Sequence, residues 1–439
     1  MSEVSFPAIR VVQPLGEFYL AAIPADFLLE VTYSNLLTLL KANEDGDYKF
    51  KGSQRKLDPD RLKEIGRYLN TVEAAVPNTV ILAANYRESG EFLEQTKENE
   101  GLRWRVEAEE PESGVVRLVI PNHDKLAAIV DGQHRLYGFE FADESKRKMP
   151  LVCSIYLDLP NPFQAQLFAT INYNQKPVDK SQSYQLYGFN LDQEPSEAWS
   201  PEKAAVFMSR KLNTESKSPF ENHITIAAED QRVLDQLAPV KKLVWVISTA
   251  TIVEGILRLF SSNPKRDRDI MHTKEVGKGI SRSQLQEIRD PSPLRKIYIE
   301  GNDLLIFTLV RNYFAACGDL FWKDRPEIGY IRKTVGVQAL FEILRKICPE
   351  ILGSKDVSKE SIKKRLQPAA VIPFQDDFFQ ASGTGRQRIR NCIEICLGLR
   401  QLNEVEPEAE RPSYRRLCDL PFHVHPPLNP APQRPPEAT

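Results

Sequence analysis

The stretch that decides the fold of the first half of the chain is LAAIVDGQHR, residues 126–135. Five apolar residues in a row are typical of a buried strand, and the polar run after them is typical of the start of a helix. Gly132 lacks a Cβ, so the backbone at the turn can approach a ligand closely. The first amides of a helix and its dipole attract anions. This stretch therefore predicts an anion site at a strand-to-helix turn.

The side chains of this DGQHR motif suit phosphate chemistry. Arg135 offers a planar fork of donors, His134 donates or moves a proton near neutral pH, and Gln133 bonds to a sugar, a base or a water. Asp131 and His134 are the candidate catalytic residues, because either could activate a water. A structural alternative stays open, in which Asp131 only caps the helix, Arg135 pairs with a carboxylate and His134 is half buried.

The pattern around the motif predicts a mixed α/β core in the first half. Strands are expected over residues 8–12, 18–23, 79–84, 104–108, 115–120, 126–130 and 151–157, with a hairpin turn at residues 14–16. Helices are expected after the N-cap residue Asp58, over residues 135–141 and over residues 161–173. The fold class predicted for this half is α/β with a mixed sheet.

The second half is expected to be mainly helical. Helical periodicity recurs over residues 203–212, 249–260, 304–316, 335–347 and 388–399. We predict a core domain over residues 1–190 and a helical domain over residues 191–420 that carries a charged loop near 262–293. The proline-rich tail, residues 421–439, cannot form a helix and is expected to be extended or disordered.

The composition predicts a water-soluble, cytoplasmic protein. The 439 residues have a formal net charge of -2, so a nucleic-acid surface would have to be local, as in the basic runs 265–268 and 386–390. The first residues lack the features of a secretory signal, and we expect no apolar run long enough to cross a bilayer. Six cysteines are too few for a disulfide framework in a chain of this length.

A second polar block follows the helix predicted at residues 161–173. Asn172, Gln175 and Lys176 lie where the chain leaves this helix, and two amides with one cation could close a phosphate site. The alternative is that the asparagine caps the helix and the lysine is solvated.

The two blocks are expected to share one cleft. Consecutive elements usually neighbour one another, so the strand at 151–157 is expected beside the strand ending at Val130, parallel to it. The helix after it would then return toward the motif. We predict that the side chain of Asn172 or Gln175 lies within about 10 Å of Arg135.

Two further positions are weaker candidates. Gln54 and Arg55 precede the Asp58 helix and could reach the same anion, or could simply be surface residues. A second small-residue turn, with Thr384, Gly385 and Arg386, could bind another anion, or could be a flexible loop. The sequence has no P-loop and no nucleophile elbow, and its cysteine and histidine spacing fits no standard zinc module, so no metal site is predicted among them.

Three of these blocks carry a family resemblance. DGQHR at 131–135, FATINYNQKPV at 168–178, and Gln54-Arg55 followed by the Asp58 helix resemble the DGQHR-domain proteins, relatives of the DNA-phosphorothioation regulator DndB. The resemblance covers roughly residues 8–235. It implies a ParB/sulfiredoxin-like fold, in which the equivalent turn binds the phosphates of a nucleotide. It also implies a setting among DNA modification and phage-defence systems.

The expected function is a nucleotide-binding, DNA-associated component of a bacterial DNA modification or phage-defence system. The expected cofactor is a nucleoside triphosphate, ATP or CTP, with Mg²⁺ if it is hydrolysed; whether the protein is an NTPase stays open. DNA is the expected partner, with other defence or modification proteins or a second copy of the chain as further partners, and no membrane. The alternative is a non-catalytic, DndB-like DNA-binding transcriptional regulator. Residues 136–139 and the long helical second half depart from narrower DndB proteins, which weakens that alternative.

Overall fold

The computed structural model describes residues 3–34, 38–40, 49–51, 57–108, 114–174, 179–187, 191, 194–225, 245–273, 280–322 and 329–419. The chain divides into two compact units. The first comprises Met1–Val178 with Lys265–Leu285, and the second comprises Asp179–Pro264 with Gln286–Thr439. The first unit holds a mixed sheet and the second is mostly helical, so the predicted α/β class is confirmed.

The described strands, in chain order, are β1 Val4–Gln13, β2 Gly16–Pro24, β3 Thr32–Tyr33, β4 Thr38–Leu40, β5 Lys49–Lys51, β6 Val80–Ala84, β7 Arg105–Ala108, β8 Val115–Ile120, β9 Ala127–Asp131, β10 Pro150–Leu157, β11 Ile224–Thr225 and β12 Ile247–Ser248. All seven strands expected in the first half are present. The missed ones are short, of two or three residues, and carry too little pattern to be recognised.

The described α-helices are α1 Ala25–Val31, α2 Pro59–Leu69, α3 Gln133–Tyr137, α4 Glu144–Arg147, α5 Asn161–Asn174, α6 Lys180–Tyr187, α7 Pro201–Thr214, α8 Thr249–Phe260, α9 Pro264–Met271, α10 Arg295–Ile299, α11 Asp303–Cys317, α12 Thr334–Gly353, α13 Lys359–Leu366, α14 Gly383–Cys396 and α15 Arg411–Leu417. The motif helix α3 is short and continues as a 3₁₀ turn, Gly138–Phe141.

Eight strands form one sheet in the order β3-β9-β6-β10-β2-β1-β8-β7. The hairpin of β1 and β2 pairs Gln13 with Gly16, which confirms the predicted turn. β6 lies between β9 and β10, antiparallel to the first and parallel to the second. The expectation that β10 lies beside β9 and parallel to it is therefore wrong, because the earlier strand β6 fills that place and reverses the direction.

The core of the first unit is apolar on both faces of the central strands. Leu82, Ile129 and Ile155 are buried with the helix residues Leu69 and Leu136 in one cluster. The opposite face buries a smaller cluster around Val130 and Tyr156, onto which Leu167 and Phe168 of α5 pack. The central strands read as continuous apolar runs because both of their faces are covered.

Helix α2 begins as the sequence predicts. The Asp58 carboxylate accepts hydrogen bonds from the backbone N–H groups of Asp60 and Arg61, and Pro59 occupies the first helical position. Its buried side packs against the turn that follows α3. A Cβ at Gly138 would lie 2.8 Å from the Cβ of Ile65 and closer still to its Cγ2, so only glycine permits this approach.

The charged segment predicted as a loop near 262–293 contains helix α9, with the buried residues Asp267, Asp269 and Met271. Lys265 pairs with Glu64 at 2.5 Å within the first unit. The prediction of a loop was wrong at this helix. A run of charged residues indicates a solvated loop, but here a distant part of the chain supplies an ion-pair partner that the sequence does not reveal.

Helix α11 runs into a π-helical turn, Gly318–Trp322, and the combined segment is long and apolar enough by composition to cross a bilayer. No such apolar run was expected from the sequence. Half of its most apolar window is buried inside the protein, and Phe314 packs on Phe341 of α12 at 4.7 Å between ring centroids. Arg311 on the same helix pairs with Glu215 at 2.7 Å. These contacts are those of a core helix.

Candidate phosphate site at the DGQHR turn

The motif lies at the C-terminal end of β9, which is an inner strand of the sheet. Asp131 pairs with Ile81 near the start of β6, and Gly132 then takes a positive φ of 98° before α3 begins. Glycine adopts this backbone conformation without the strain that a side chain would impose. A Cβ here would also lie 3.3 Å from Val80 Cα, so the glycine serves both the turn and its close packing.

Asp131 and Arg135 form an ion pair inside the motif. Arg135 Nη2 lies 2.5 Å from Asp131 Oδ2, and its Nη1 donates to the carbonyl oxygen of Thr79 at 2.9 Å. Both charged side chains are about one quarter exposed, at 25% each. The structural alternative for Arg135, pairing with a carboxylate, is therefore present in this structure.

Gln133 and His134 are held by earlier segments of the chain. Ser34 Oγ donates to Gln133 Oε1 at 2.6 Å, and Gln133 is buried. The backbone N–H of Asp58 donates to His134 Nε2 at 3.2 Å, which requires that nitrogen to be unprotonated. The N-cap residue of α2 is thus tied directly to the half-buried histidine of the motif.

Tyr137, one helical turn beyond Gln133, is a further member of this site. Burial raises the pKa of Tyr137, and a backbone hydrogen bond with Ser34 opposes that shift. Ser34 therefore contacts two residues of the motif helix. Sequence reasoning missed Ser34 because it lies 99 positions before Gln133 and carries no local pattern.

The second block is only partly described. β6, which lies between β9 and β10, is parallel to β10 and antiparallel to β9, so β9 and β10 run in opposite directions. Helix α5 follows β10 and therefore starts at the end of the strands that is opposite the DGQHR turn. Its Leu167 and Phe168 pack beside Val130, and the helix continues to Asn174 in the direction of the motif. The side chain of Asn172, and all of Gln175 and Lys176, lie outside the described residues. The shared cleft stays a prediction.

Two other candidates have different outcomes. Gln54 and Arg55 also lie outside the described residues. At the second turn, Ser382 caps α14 by accepting from the Gly385 N–H, and Arg386 lies 3.5 Å from Glu342. A Cβ at Gly385 would lie 2.7 Å from the carbonyl carbon of Gln380, so close packing already accounts for this glycine. Thr384 is the second residue of this helix, and no described contact of its side chain indicates a ligand.

A partly buried polar cluster at the opposite end of the strands was not predicted. Asn85 and Asp158 follow the parallel strands β6 and β10, and both have positive φ, 72° and 65°. Asn85 Nδ2 donates to Asp158 Oδ1 at 2.7 Å, and Arg103 pairs with Asp158 at 2.5 Å. Asparagine and aspartate directly after apolar runs were the available signal. The mutual hydrogen bonds indicate that this cluster holds the strand ends together.

Comparison with known proteins gives one match. Residues 6–219 match the family described as DndB, DNA-sulfur modification-associated. No curated protein matches the chain. No solved structure matches it either. The matched region spans the eight-stranded sheet except for the first two residues of β1, and it contains the DGQHR turn and all three blocks that carried the resemblance.

Proposed function

From the match of residues 6–219 to the DndB family, we propose that the protein is the part of a DNA-sulfur modification system that binds nucleotide phosphates at its DGQHR turn. The observation that carries the proposal is the partly exposed Asp131–Arg135 pair beside the glycine turn. A phosphate is a stronger acceptor of charge-assisted hydrogen bonds than the solvent it would displace.

Arg135 has donors to spare. A guanidinium carries five N–H donors, and Arg135 donates one of them to Asp131 and one to the carbonyl oxygen of Thr79. The remaining edge of the fork matches two phosphate oxygens. The ion pair with Asp131 fixes the orientation of this side chain before a ligand arrives, which lowers the entropy lost on binding.

The geometry favours binding over hydrolysis. His134 Nε2 accepts from the Asp58 backbone and Asp131 is paired with Arg135, so either group would have to leave its partner before it could activate a water. Asp131 is also the only carboxylate of the motif, and a Mg²⁺ ion that arrives with a nucleotide would compete with Arg135 for it. Nucleotide recognition is therefore the primary proposal, and turnover is a separate question.

Calorimetric titration of the full chain with ATP and with CTP tests this proposal. Wild type should bind at least one of them, and Arg135→Ala should lose that affinity. Arg105→Ala is the matched control, because Arg105 is also a partly exposed arginine with carboxylate partners in the same unit. Absence of binding in wild type, or equal binding in wild type and Arg135→Ala, would exclude the motif as a nucleotide site.

A second candidate is a regulator whose motif contacts the phosphates of DNA directly. It is favoured by the protein partners that hold Gln133, His134 and Arg135 in place, since a fixed surface suits recognition. A DNA binder that uses several cations should lose affinity steeply with salt, whereas a compact nucleotide site should depend on salt less. Measuring the affinity for duplex DNA against salt in wild type and Arg135→Ala separates the two candidates.

A further inference from the structure

The second unit contains a cleft between α8, α12 and α14 that we call the cationic cleft. Its charged lining residues are Arg258, Arg345, Lys346, Arg390, Glu254 and Glu342. All of them lie beyond residue 219, so the cleft is outside the region that matches the DndB family. No part of the proposed nucleotide site contributes to it.

Glu342, which lines the cleft from α12, forms ion pairs with three arginines. Arg390 Nη1 lies 3.0 Å from its Oε2, Arg386 Nε lies 3.5 Å from its Oε1, and Arg258 Nη1 lies 4.0 Å from the same oxygen. Three guanidinium groups from two different helices therefore converge on one carboxylate. One negative charge cannot neutralise three positive ones.

Glu394, in the last turn of α14, forms ion pairs with three cations. Its side chain is fully buried, with 0% exposure, and it receives Lys346 at 2.5 Å, Arg400 at 2.7 Å and Arg390 at 3.6 Å. Burial of a carboxylate is tolerated when several cations surround it. Lys346 and Arg390 are consequently fixed in position at the wall of the cleft.

The balance of charge in this cluster is positive. Six cations, namely Arg258, Arg345, Lys346, Arg386, Arg390 and Arg400, surround the carboxylates Glu254, Glu342 and Glu394. Glu254 is itself paired with Lys180 at 2.8 Å, so it does little to offset the excess. Arg345 is exposed and has no carboxylate within ion-pair distance among the described residues.

A purely structural role explains only part of this arrangement. Pinning α12 to α14 requires the buried Glu394 and the cations that neutralise it. It does not require Arg345, which pairs with no carboxylate among the described residues. Nor does it require Arg258, whose side chain is 54% exposed and lies as far as 4.0 Å from Glu342. Excess cations held side by side repel one another, and a bound polyanion would relieve that repulsion.

We propose that the cationic cleft binds the phosphodiester backbone of DNA. Arg258 on α8, Arg345 on α12 and Arg390 on α14 all line the cleft, so its cations come from three helices, and a polyanion with several phosphates can pair with more of them than a single phosphate can. The proposal relies on the proposed function only for the choice of DNA as the polyanion. It adds a binding site in the second unit, separate from the DGQHR turn.

The experiment measures binding of the full chain to a short fluorescein-labelled DNA duplex of arbitrary sequence, by anisotropy at several salt concentrations. The test variant is Arg258→Ala/Arg345→Ala, which removes the two cations that no buried carboxylate depends on. Affinity should fall, and the slope of log affinity against log salt should decrease by about two, one for each lost phosphate contact. Lys296→Ala, an 86% exposed lysine on α10, is the control and should leave both unchanged.

Three outcomes would overturn the proposal. One is DNA binding in the double variant equal to that of Lys296→Ala, and another is no DNA binding by wild type. The third is displacement of the duplex by equimolar ATP in wild type but not in Arg135→Ala, which would place the DNA at the motif. Calorimetry of the double variant with nucleotide keeps the two proposals apart, because loss of DNA binding with intact nucleotide binding supports the cleft independently of the motif.

Discussion

Asp131 and Arg135 neutralise each other across the first turn of the motif helix, with Arg135 Nη2 2.5 Å from Asp131 Oδ2. Any anion that binds Arg135 must compete with this carboxylate or share the guanidinium with it. The pair therefore acts as an internal competitor for the proposed ligand, and this leads to the first prediction.

Asp131→Asn should tighten nucleotide binding. The substitution keeps the shape of the side chain and removes its charge, which frees Arg135; a partly exposed ion pair is worth up to about 1 kcal/mol, so the gain should be up to about fivefold. Calorimetric titration of the Asp131→Asn and Arg135→Ala variants in parallel measures it. Weaker binding by Asp131→Asn would contradict this prediction and show that the carboxylate helps the nucleotide to bind, either by orienting Arg135 or by holding a metal ion that accompanies the nucleotide.

Gly138→Ala should destabilise the first unit. The new Cβ would overlap Ile65 on α2, and overpacking of this kind costs about 1–3 kcal/mol. Urea denaturation should show a lower midpoint for Gly138→Ala, and Ile65→Ala in the same chain should recover part of the loss. Gly101→Ala is the control, since a Cβ at Gly101 meets nothing within 4 Å. Identical midpoints for Gly138→Ala and Gly101→Ala would contradict the close contact between Gly138 and Ile65.

The thiols should be unreactive in the folded protein. All six cysteines are free, and five of them are buried. Burial raises the pKa of Cys153 and of Cys348 to about 12, and the thiolate is the reactive form. At about pH 8, titration with a thiol reagent should give little reaction in the native state and six equivalents in urea. Cys396→Ser should remove any slow residual reaction, because Cys396 is the one that is partly exposed.

Asp319 should contribute stability at neutral pH and not in acid. The Lys359 ammonium, followed by Lys363, holds the pKa of Asp319 below its ordinary value. A carboxyl with a lowered pKa stabilises the folded state above its unfolded pKa of about 3.9, and this contribution is lost as the pH falls through the folded value.

Thermal melting of Asp319→Asn tests this relationship. The variant should melt below wild type at about pH 7, by an amount that corresponds to about 0.2–1 kcal/mol for a partly exposed pair, and the difference should shrink at about pH 3. Glu300→Gln serves as the control, since the ion-pair partner of Glu300 among the described residues, Lys296, is as far away as 3.8 Å. A difference that persists unchanged in acid would show that the carboxylate charge is not responsible.

Much of the candidate site could be predicted from local pattern, and its partners could not. The apolar run before Asp131, the glycine turn and the helix after it are all present, as is the cap at Asp58. The sequence did not indicate that Asp58 donates to His134 or that Ser34 donates to Gln133, and it left open whether Arg135 would pair with a carboxylate, which in the structure is Asp131. Those contacts decide whether the motif side chains are free to react.

The sequence by itself determined the seven strands expected in the first half, the cap at Asp58, the hairpin at Gly16, and the strand-to-helix turn at Gly132. These follow from capping, periodicity and turn chemistry, which act between residues a few positions apart. Only the tertiary structure decided that β6 lies between β9 and β10, that Ser34 and Asp58 meet the motif from 99 and 76 positions away, and that Arg258, Arg386 and Arg390 converge on Glu342. The packing of whole apolar faces selects such contacts, and the free energy of that packing depends on all the elements together instead of on any one stretch of sequence.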